Sequence, residues 1–205
     1  MNSKLIILDR DGVINQDSDL YIKKPDEWHA IPGSLEAIAR LCRADYRVVV
    51  ITNQSGISRG LYSLNTLNKI HQKMIDEIHV FGGELNAVFF CPHSDEVNCE
   101  CRKPKPGLFL ELAERLRCDL DGVYAVGDSI RDLQAALLCG AAPVLVETGK
   151  GKTSMENIKS GNVEAIPMVA PDGTTINVSS KLGDVPIFPD LACFVDYLLN
   201  EEAVY

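Results

Sequence analysis

Apolar positions along the chain fall into two kinds of run that take turns. Leu5-Ile6-Ile7-Leu8, Tyr46 to Ile51, Leu85 to Phe90, Val123 to Val126 and Pro143 to Val146 are mostly continuous and of strand length. Between them the apolar residues are spaced three and four apart, as on one face of a helix. Leu35, Ile38, Ala39, Leu41 and Cys42 form the first such set, and Leu64, Leu67, Ile70, Met74, Ile75 and Ile78, closed by Gly82-Gly83, the second. Leu108, Leu110, Leu112 and Leu116 follow Pro106-Gly107, and Leu133, Ala136, Leu137 and Leu138 stop at Gly140. Buried strands alternating with helices predict an α/β chain: an open, mostly parallel sheet with helices on both faces. Pro189-Asp190 opens a last helix through Leu191, Phe194, Val195 and Leu198, which covers the sheet. On the second helix His71 and His79 read as surface or boundary positions, and Cys42 and Cys118 as packing residues.

In such a sheet ligands bind beyond the carboxyl ends of the strands. Polarity begins where the strands stop: at Asp9-Arg10-Asp11-Gly12, Thr52-Asn53-Gln54-Ser55, Cys91-Pro92-His93 and Gly127-Asp128-Ser129. Asn15 to His29 has no clean period and reads as a loop. From Gly149 to about Pro186 the pattern loosens, with weak alternation from Ala165 to Val178 around Pro171-Asp172-Gly173 predicting a small hairpin. Gly149-Lys150-Gly151-Lys152-Thr153 looks like a nucleotide loop but fails the spacing, since Val146 stands where the first glycine is needed. Lying after the fifth strand end, residues 151–186 are expected to fold beside the mouth of the site and restrict access to it.

At 205 residues, 46% of them hydrophobic, the chain suffices for one sizeable domain over residues 1–205 and not for a second full one. No apolar run reaches eighteen residues, and Met1-Asn2-Ser3-Lys4 leads straight into the first strand. The expectation is a soluble, cytoplasmic protein with no membrane partner, and a monomer. A net charge of −9 argues against a nucleic-acid partner, so an anionic ligand must be held by local cations. Seven cysteines, an odd count, point to metal binding or core packing more than to disulfides.

Asp9 and Asp11 are alternate residues at a strand end and can present both carboxylates to one space. A divalent cation or a shared proton relieves their repulsion. Alone, the pair is equally a polar strand end with an Asx turn. Together with the other strand ends it makes a phosphoryl-transfer set. Asp9 attacks phosphorus, and Asp11 protonates the leaving oxygen and then takes a proton from water. Magnesium bridges Asp9 and the phosphate, with Asp128 and the backbone oxygen of Asp11 as further oxygen ligands. Thr52 and Lys103 donate to the phosphoryl oxygens. Asp132, one turn after Asp128, stands either in support of the metal or on the helix surface.

Cys91, His93, Cys99 and Cys101 put four zinc ligands into eleven positions. A filled tetrahedron cannot activate water, so the zinc expected here is structural and folds the loop carrying Arg102 and Lys103. Such binding supplies on the order of 10 kcal/mol or more in small zinc modules. The bland alternative is a set of unmetallated surface cysteines.

Over about residues 4 to 150, Asp9-Arg10-Asp11-Gly12, Thr52-Asn53-Gln54-Ser55-Gly56, Lys103 and Gly127-Asp128 resemble, in order, the motifs of haloacid dehalogenase-type phosphatases. The zinc loop and Cys101-Arg102-Lys103-Pro104 narrow the resemblance to the branch of heptose-bisphosphate and histidinol phosphatases, and Thr52 to Gly60 looks like the former. The resemblance implies a Rossmann-like three-layer α/β/α fold without a large cap domain. It also implies hydrolysis of the 7-phosphate of a heptose 1,7-bisphosphate, a phosphorylated sugar on the route to lipopolysaccharide core. By position, Asp9 is then the nucleophile, Asp11 the general acid/base, and Asp9, Asp11 and Asp128 the magnesium ligands. Thr52 and Lys103 stabilise the phosphoryl group, and the planar guanidinium of Arg102 suits the second phosphate. Asp17, Ser18, Asp19 and Tyr21 line the sugar with Asn53, Gln54, Ser55, Arg59 and Ser129. One departure stands out: Ser129 occupies the place of a family lysine, which removes a cation near the substrate.

Two rivals differ in chemistry. A histidinol-phosphate phosphatase needs carboxylates near an amine, and Asp17, Asp19 or Glu100 could serve. A non-catalytic zinc-stabilised binding protein has no use for intact Asp9, Asp11, Lys103 and Asp128.

Overall fold

The computed structural model describes residues 4–169 and 175–202. Its strands are β1 (Leu5–Leu8), β2 (Arg47–Asn53), β3 (Ala87–Cys91), β4 (Tyr124–Gly127), β5 (Ala142–Val146), β6 (Pro167–Val169), β7 (Thr175–Asn177) and β8 (Ile187–Phe188). Its helices are α1 (Ser34–Arg43), α2 (Leu64–Val80), α3 (Gly107–Leu116), α4 (Ile130–Leu137), α5 (Gly151–Ser160) and α6 (Leu191–Glu202). Six strands form one sheet in the order β3-β2-β1-β4-β5-β8, every neighbouring pair parallel.

Alternate strand residues serve opposite layers. Ile6, Leu8, Val48, Val50 and Val126 pack against Ile38 of α1, Met74 of α2 and Phe194 of α6. Leu5, Ile7, Val49, Ile51 and Ala125 pack against Leu108 and Leu112 of α3 and Ala136 of α4. Both faces of the sheet are covered, which is why its strands read as unbroken apolar runs.

Between β1 and α1 the loop is tied down. Trp28 is fully buried with Ile14 and Ile22 in the α1/α2/α6 layer, and Asn15 forms isolated bridges with Asp11 and Ala30. Among these described residues the regular secondary structure is the 3₁₀ turn Pro25–Glu27, and no cap domain is inserted there.

Four features depart from the sequence reading. A ten-residue helix, α5, occupies the start of the loosened segment. Its apolar side is thin, Met155 and Ile158 packing beside Leu133 and Leu145, so periodicity does not reveal it. A two-residue strand, β8, adds a sixth parallel strand beside β5, too short to leave a pattern. The final helix begins at Leu191, where the Asp190 carboxylate accepts the Cys193 N–H at 2.8 Å. His71 is buried and not a surface residue, because it shares the inward face of α2 with Leu67, Ile70, Met74 and Ile78; His79 is exposed as expected. β6 and β7 pair antiparallel as the predicted hairpin requires, while its turn, Pro171-Asp172-Gly173, lies outside the described residues.

Candidate active site

Strand order reverses at β1, successive strands running outward to β3 on one side and to β4, β5 and β8 on the other, and the site opens at the carboxyl ends of β1 and β4. The Asp9 N–H donates to the Val126 carbonyl at 2.9 Å, so Asp9 and Asp128 leave adjacent strands side by side. Asp9, Asp128 and Asp132 each offer a carboxylate oxygen, all within 4.8 Å of one another. Lys103 enters from the loop after β3. Its Nζ lies 3.1 Å from Asp9 Oδ1 and 2.6 Å from Asp132 Oδ1, and donates to the Ile51 carbonyl at 2.7 Å. Asn53 clamps that lysine in place, accepting its N–H and donating to its carbonyl, both at 3.1 Å.

Asp132 is thus buried inside the cluster and off the helix surface. It also accepts the Ser129 N–H at 3.0 Å and Oγ at 2.6 Å, so Ser129 serves as the N-cap of α4 while lining the cleft.

Asp11 turns its carboxylate away from this cluster. Arg10 Nε and Nη2 donate to Asp11 Oδ1 at 3.1 and 2.9 Å, and Asn15 Nδ2 donates to the same oxygen at 2.9 Å. Gln54 Nε2 donates to Asp11 Oδ2 at 2.9 Å and to Thr52 Oγ1 at 3.0 Å, while its own oxygen accepts the Tyr62 hydroxyl at 2.8 Å. The Arg10 side chain is almost wholly buried, with Nη1 3.3 Å from His71 Nε2.

These placements divide the carboxyl groups electrostatically. Burial pushes Asp9 up to about 6 against the opposing charge of Lys103, with Asp132 and Asp11 adding to the rise. Burial, with the charges of Asp132 and Asp9, pushes Asp128 up to about 8. Burial also acts to raise Asp11 and Asp132, but Arg10 and its hydrogen-bond partners hold Asp11 below the usual carboxylate range, and Lys103 does so for Asp132. Lys103 is raised in turn, its burial outweighed by those two anions, and stays charged.

A cleft of about 260 Å³ opens above these groups. All the residues expected to bind substrate border it: Asp17, Ser18, Asp19, Tyr21, Asn53, Gln54, Ser55, Arg59, Arg102 and Ser129. Arg102 Nη1 donates to the His93 carbonyl at 3.2 Å, and its Nη2 pairs with Asp95 at 2.6 Å, with Arg59 4.0 Å from the same carboxylate. The cleft also includes residues that sequence reasoning missed, among them Arg10, Tyr62, Asp95, Arg131 and Lys150. Lys150 follows β5, whose polar end Glu147-Thr148-Gly149-Lys150 carries the same signal as the other strand ends. Lys150 Nζ pairs with Asp17 at 3.2 Å across the mouth. Within the segment 151–186, Ser154 Oγ donates to the Asp128 carbonyl at 2.9 Å.

The second metal-ligating group is separate. Cys91, His93, Cys99 and Cys101 converge on one point. Cys91 Sγ is 3.6 Å from Cys99 Sγ and 3.2 Å from Cys101 Sγ, Cys99 and Cys101 are 3.4 Å apart, and His93 Nδ1 is 3.6 and 3.3 Å from Cys91 and Cys101. A tetrahedral zinc with sulfur ligands has edges of about 3.7 Å, so the four atoms fit its coordination sphere. The carboxylate group, with its hard oxygen donors, fits magnesium instead.

The family model of HAD-hydrolase-like proteins matches residues 100–172, a span that includes Lys103, Asp128 and Asp132. The D-glycero-beta-D-manno-heptose-1,7-bisphosphate 7-phosphatase of Bordetella bronchiseptica is 58% identical over 152 residues, covering 74% of this chain and 85% of the relative. The enzyme of the same name from Pseudomonas aeruginosa is 45% identical over 200 residues, 98% of this chain and all of that one. Among solved structures, D,D-heptose 1.7-bisphosphate phosphatase from B. bronchiseptica, complexed with magnesium and phosphate, matches with a TM-score of 0.82 and 48% identity, covering 97% of this chain and 99% of its own. Sequence, fold and the carboxylate–lysine cluster agree, and the chain belongs to the D-glycero-beta-D-manno-heptose-1,7-bisphosphate 7-phosphatase family of HAD-like hydrolases.

Proposed function

We propose that this chain removes the C7 phosphate of D-glycero-D-manno-heptose 1,7-bisphosphate, in the cytoplasm, on the route to heptose nucleotides for lipopolysaccharide core. One observation carries the reading: a single small cleft holds the Asp9–Lys103 pair at its base and Arg59, Arg102, Arg131 and Lys150 around it. That is charge enough for a reacting phosphate and a second, unreacting one. The histidinol-phosphate alternative places a cationic group against these same cations, and is disfavoured for that reason.

Asp9 attacks phosphorus and forms an aspartyl-phosphate as the C7 oxygen departs. Asp11, ionised beside Arg10 in the free protein, takes up a proton as the anionic substrate binds, passes it to that oxygen, and later accepts one from the water that cleaves the acyl phosphate. Its network of Arg10, Asn15 and Gln54 fixes the direction in which the proton moves. Lys103 and Thr52 donate to the phosphoryl oxygens, where charge builds in the transition state. Asp9, Asp128 and the Asp11 main-chain oxygen would hold magnesium, which would supply further neutralisation of that charge. Arg102, anchored on the carbonyl of His93, takes the C1 phosphate, and zinc on Cys91, His93, Cys99 and Cys101 keeps that anchor rigid. The protein works as a monomer in this reading.

The test is phosphate release, with magnesium, from the two anomers of the heptose bisphosphate beside histidinol phosphate, with Asp9→Asn as blank. A strong preference for a bisphosphate, absent from the blank, supports the reading; preference for histidinol phosphate overturns it.

A further inference from the structure

Asp128 is gripped by a segment outside the motifs that supply the chemistry. The Lys150 N–H donates to Asp128 Oδ2 at 2.8 Å, and Ser154 Oγ donates to the Asp128 carbonyl at 2.9 Å. Thr148 Oγ1 donates to the Gly12 carbonyl at 2.6 Å, tying the same turn to the loop after Asp11. The fit admits no side chain at position 149. A Cβ on Gly149 would lie 2.1 Å from Asp128 Oδ2 and 2.6 Å from Gly12 Cα, and Gly149 itself has φ +55°. From the other side, a Cβ on Gly12 would lie 2.0 Å from the same oxygen. The Asp128 carboxylate therefore sits in a slot between two glycine backbones, with one oxygen fixed by the main chain at the start of α5.

We infer that the turn Thr148–Gly151 and Ser154 of α5 are a positioning device for the catalytic cation, setting magnesium affinity through the orientation of Asp128. This rests on the magnesium reading above. A carboxylate ligand binds best when its free oxygen is already aimed, and hydrogen bonds to its other oxygen do the aiming. Gly149 and Ser154 touch neither substrate nor phosphate in this scheme. Their part is to hold a ligand, and the Lys150 side chain plays none in it, since the Lys150 contact to Asp128 comes from the backbone.

The experiment is calorimetric titration of magnesium chloride into the zinc-replete full chain, comparing wild type with Gly149→Ala, Ser154→Ala and Lys150→Ala. Removing such outer contacts typically weakens metal binding about 10- to 100-fold, and that range is expected for Gly149→Ala, with its lower end for Ser154→Ala. Lys150→Ala keeps its amide and holds magnesium as wild type does, and zinc content is unchanged throughout. Excess magnesium restores turnover to Ser154→Ala, which a general loss of packing would not allow. Wild-type affinity in both Gly149→Ala and Ser154→Ala overturns the inference, as does a Lys150→Ala defect as large as theirs. Should Gly149→Ala fail to fold, Ser154→Ala decides alone. A wild-type chain that binds no magnesium sinks the functional reading as well, so the two failures are told apart.

Discussion

Lys103 Nζ bridges two carboxylates, 3.1 Å from Asp9 and 2.6 Å from Asp132, with its side chain 3% exposed. Asp9, the proposed nucleophile, thus shares its ion-pair partner with Asp132. Asp132 holds Lys103 in place, and Lys103 keeps Asp9 ionisable.

In the proposed mechanism, replacing Lys103 by Ala removes a donor to the transferring phosphoryl group, a change worth about 10²- to 10³-fold in kcat at comparable sites. Because Lys103 is the partner that lowers Asp9 against its burial, the Asp9 carboxyl rises further in this variant. The acid limb of the pH–rate profile moves upward accordingly. Rates of phosphate release measured across pH check both effects, and an unchanged limb would mean that Lys103 does not govern Asp9.

Metal binding should depend steeply on pH. Without metal, Asp9 is pushed up to about 6 and Asp128 to about 8, both above the ordinary 3.8 of an unfolded chain. The folded state then keeps protons that the unfolded state releases, so these two groups cost the metal-free protein stability as pH rises from about 4 toward 8. Magnesium must displace the same protons. Its affinity, and the rise in melting temperature that it produces, therefore grow between pH 5.5 and pH 8, as thermal unfolding with and without magnesium will reveal.

Zinc removal should act on the substrate side of the cleft. In the proposed zinc site His93 would ligate through Nδ1, and its carbonyl receives Arg102, so a loosened cluster releases the guanidinium. Cys101→Ser, or prolonged chelation, is expected to lower the melting temperature and raise KM for the bisphosphate, with zinc content followed by elemental analysis. Full retention of zinc and KM in Cys101→Ser would rule out the closed four-ligand site.

Arg102→Ala separates the two phosphates. A charge-assisted hydrogen bond is worth about 1.5–3 kcal/mol, so KM for the bisphosphate should rise roughly 10- to 100-fold. Hydrolysis of a small monophosphate such as p-nitrophenyl phosphate, with no second anion to hold, should change little. Equal losses on both substrates would place Arg102 at the reacting phosphate instead.

Much of this arrangement is legible in the sequence because buried parallel strands leave unbroken apolar runs and their ends turn polar at once. Asp9, Thr52 and Asp128 stand out on that signal, the four candidate zinc ligands on their spacing, and Lys103 on its place in the loop they mark. What escapes is whatever depends on direction rather than type. His71 and Arg10 are polar residues that turn inward to meet each other, and no period marks that choice. α5 escapes because its role rests on main-chain contacts from Lys150 and a hydroxyl from Ser154, for which residue identity gives little warning. Asp132 lies between these cases: its spacing from Asp128 suits a helix turn, but only the lysine arriving from another loop brings it into the site.

Trp28 is the chain's one tryptophan, and it is fully buried beneath the loop that carries Asp17, Ser18, Asp19 and Tyr21. Its indole nitrogen has no hydrogen-bond partner among the described residues, and its ring packs in the apolar cluster with Ile14 and Ile22. The intrinsic fluorescence of this protein is accordingly a reading of one place. A red shift in emission marks exposure of this layer to water, where the 15–29 connection packs on α1, α2 and α6, and it needs no label to be seen.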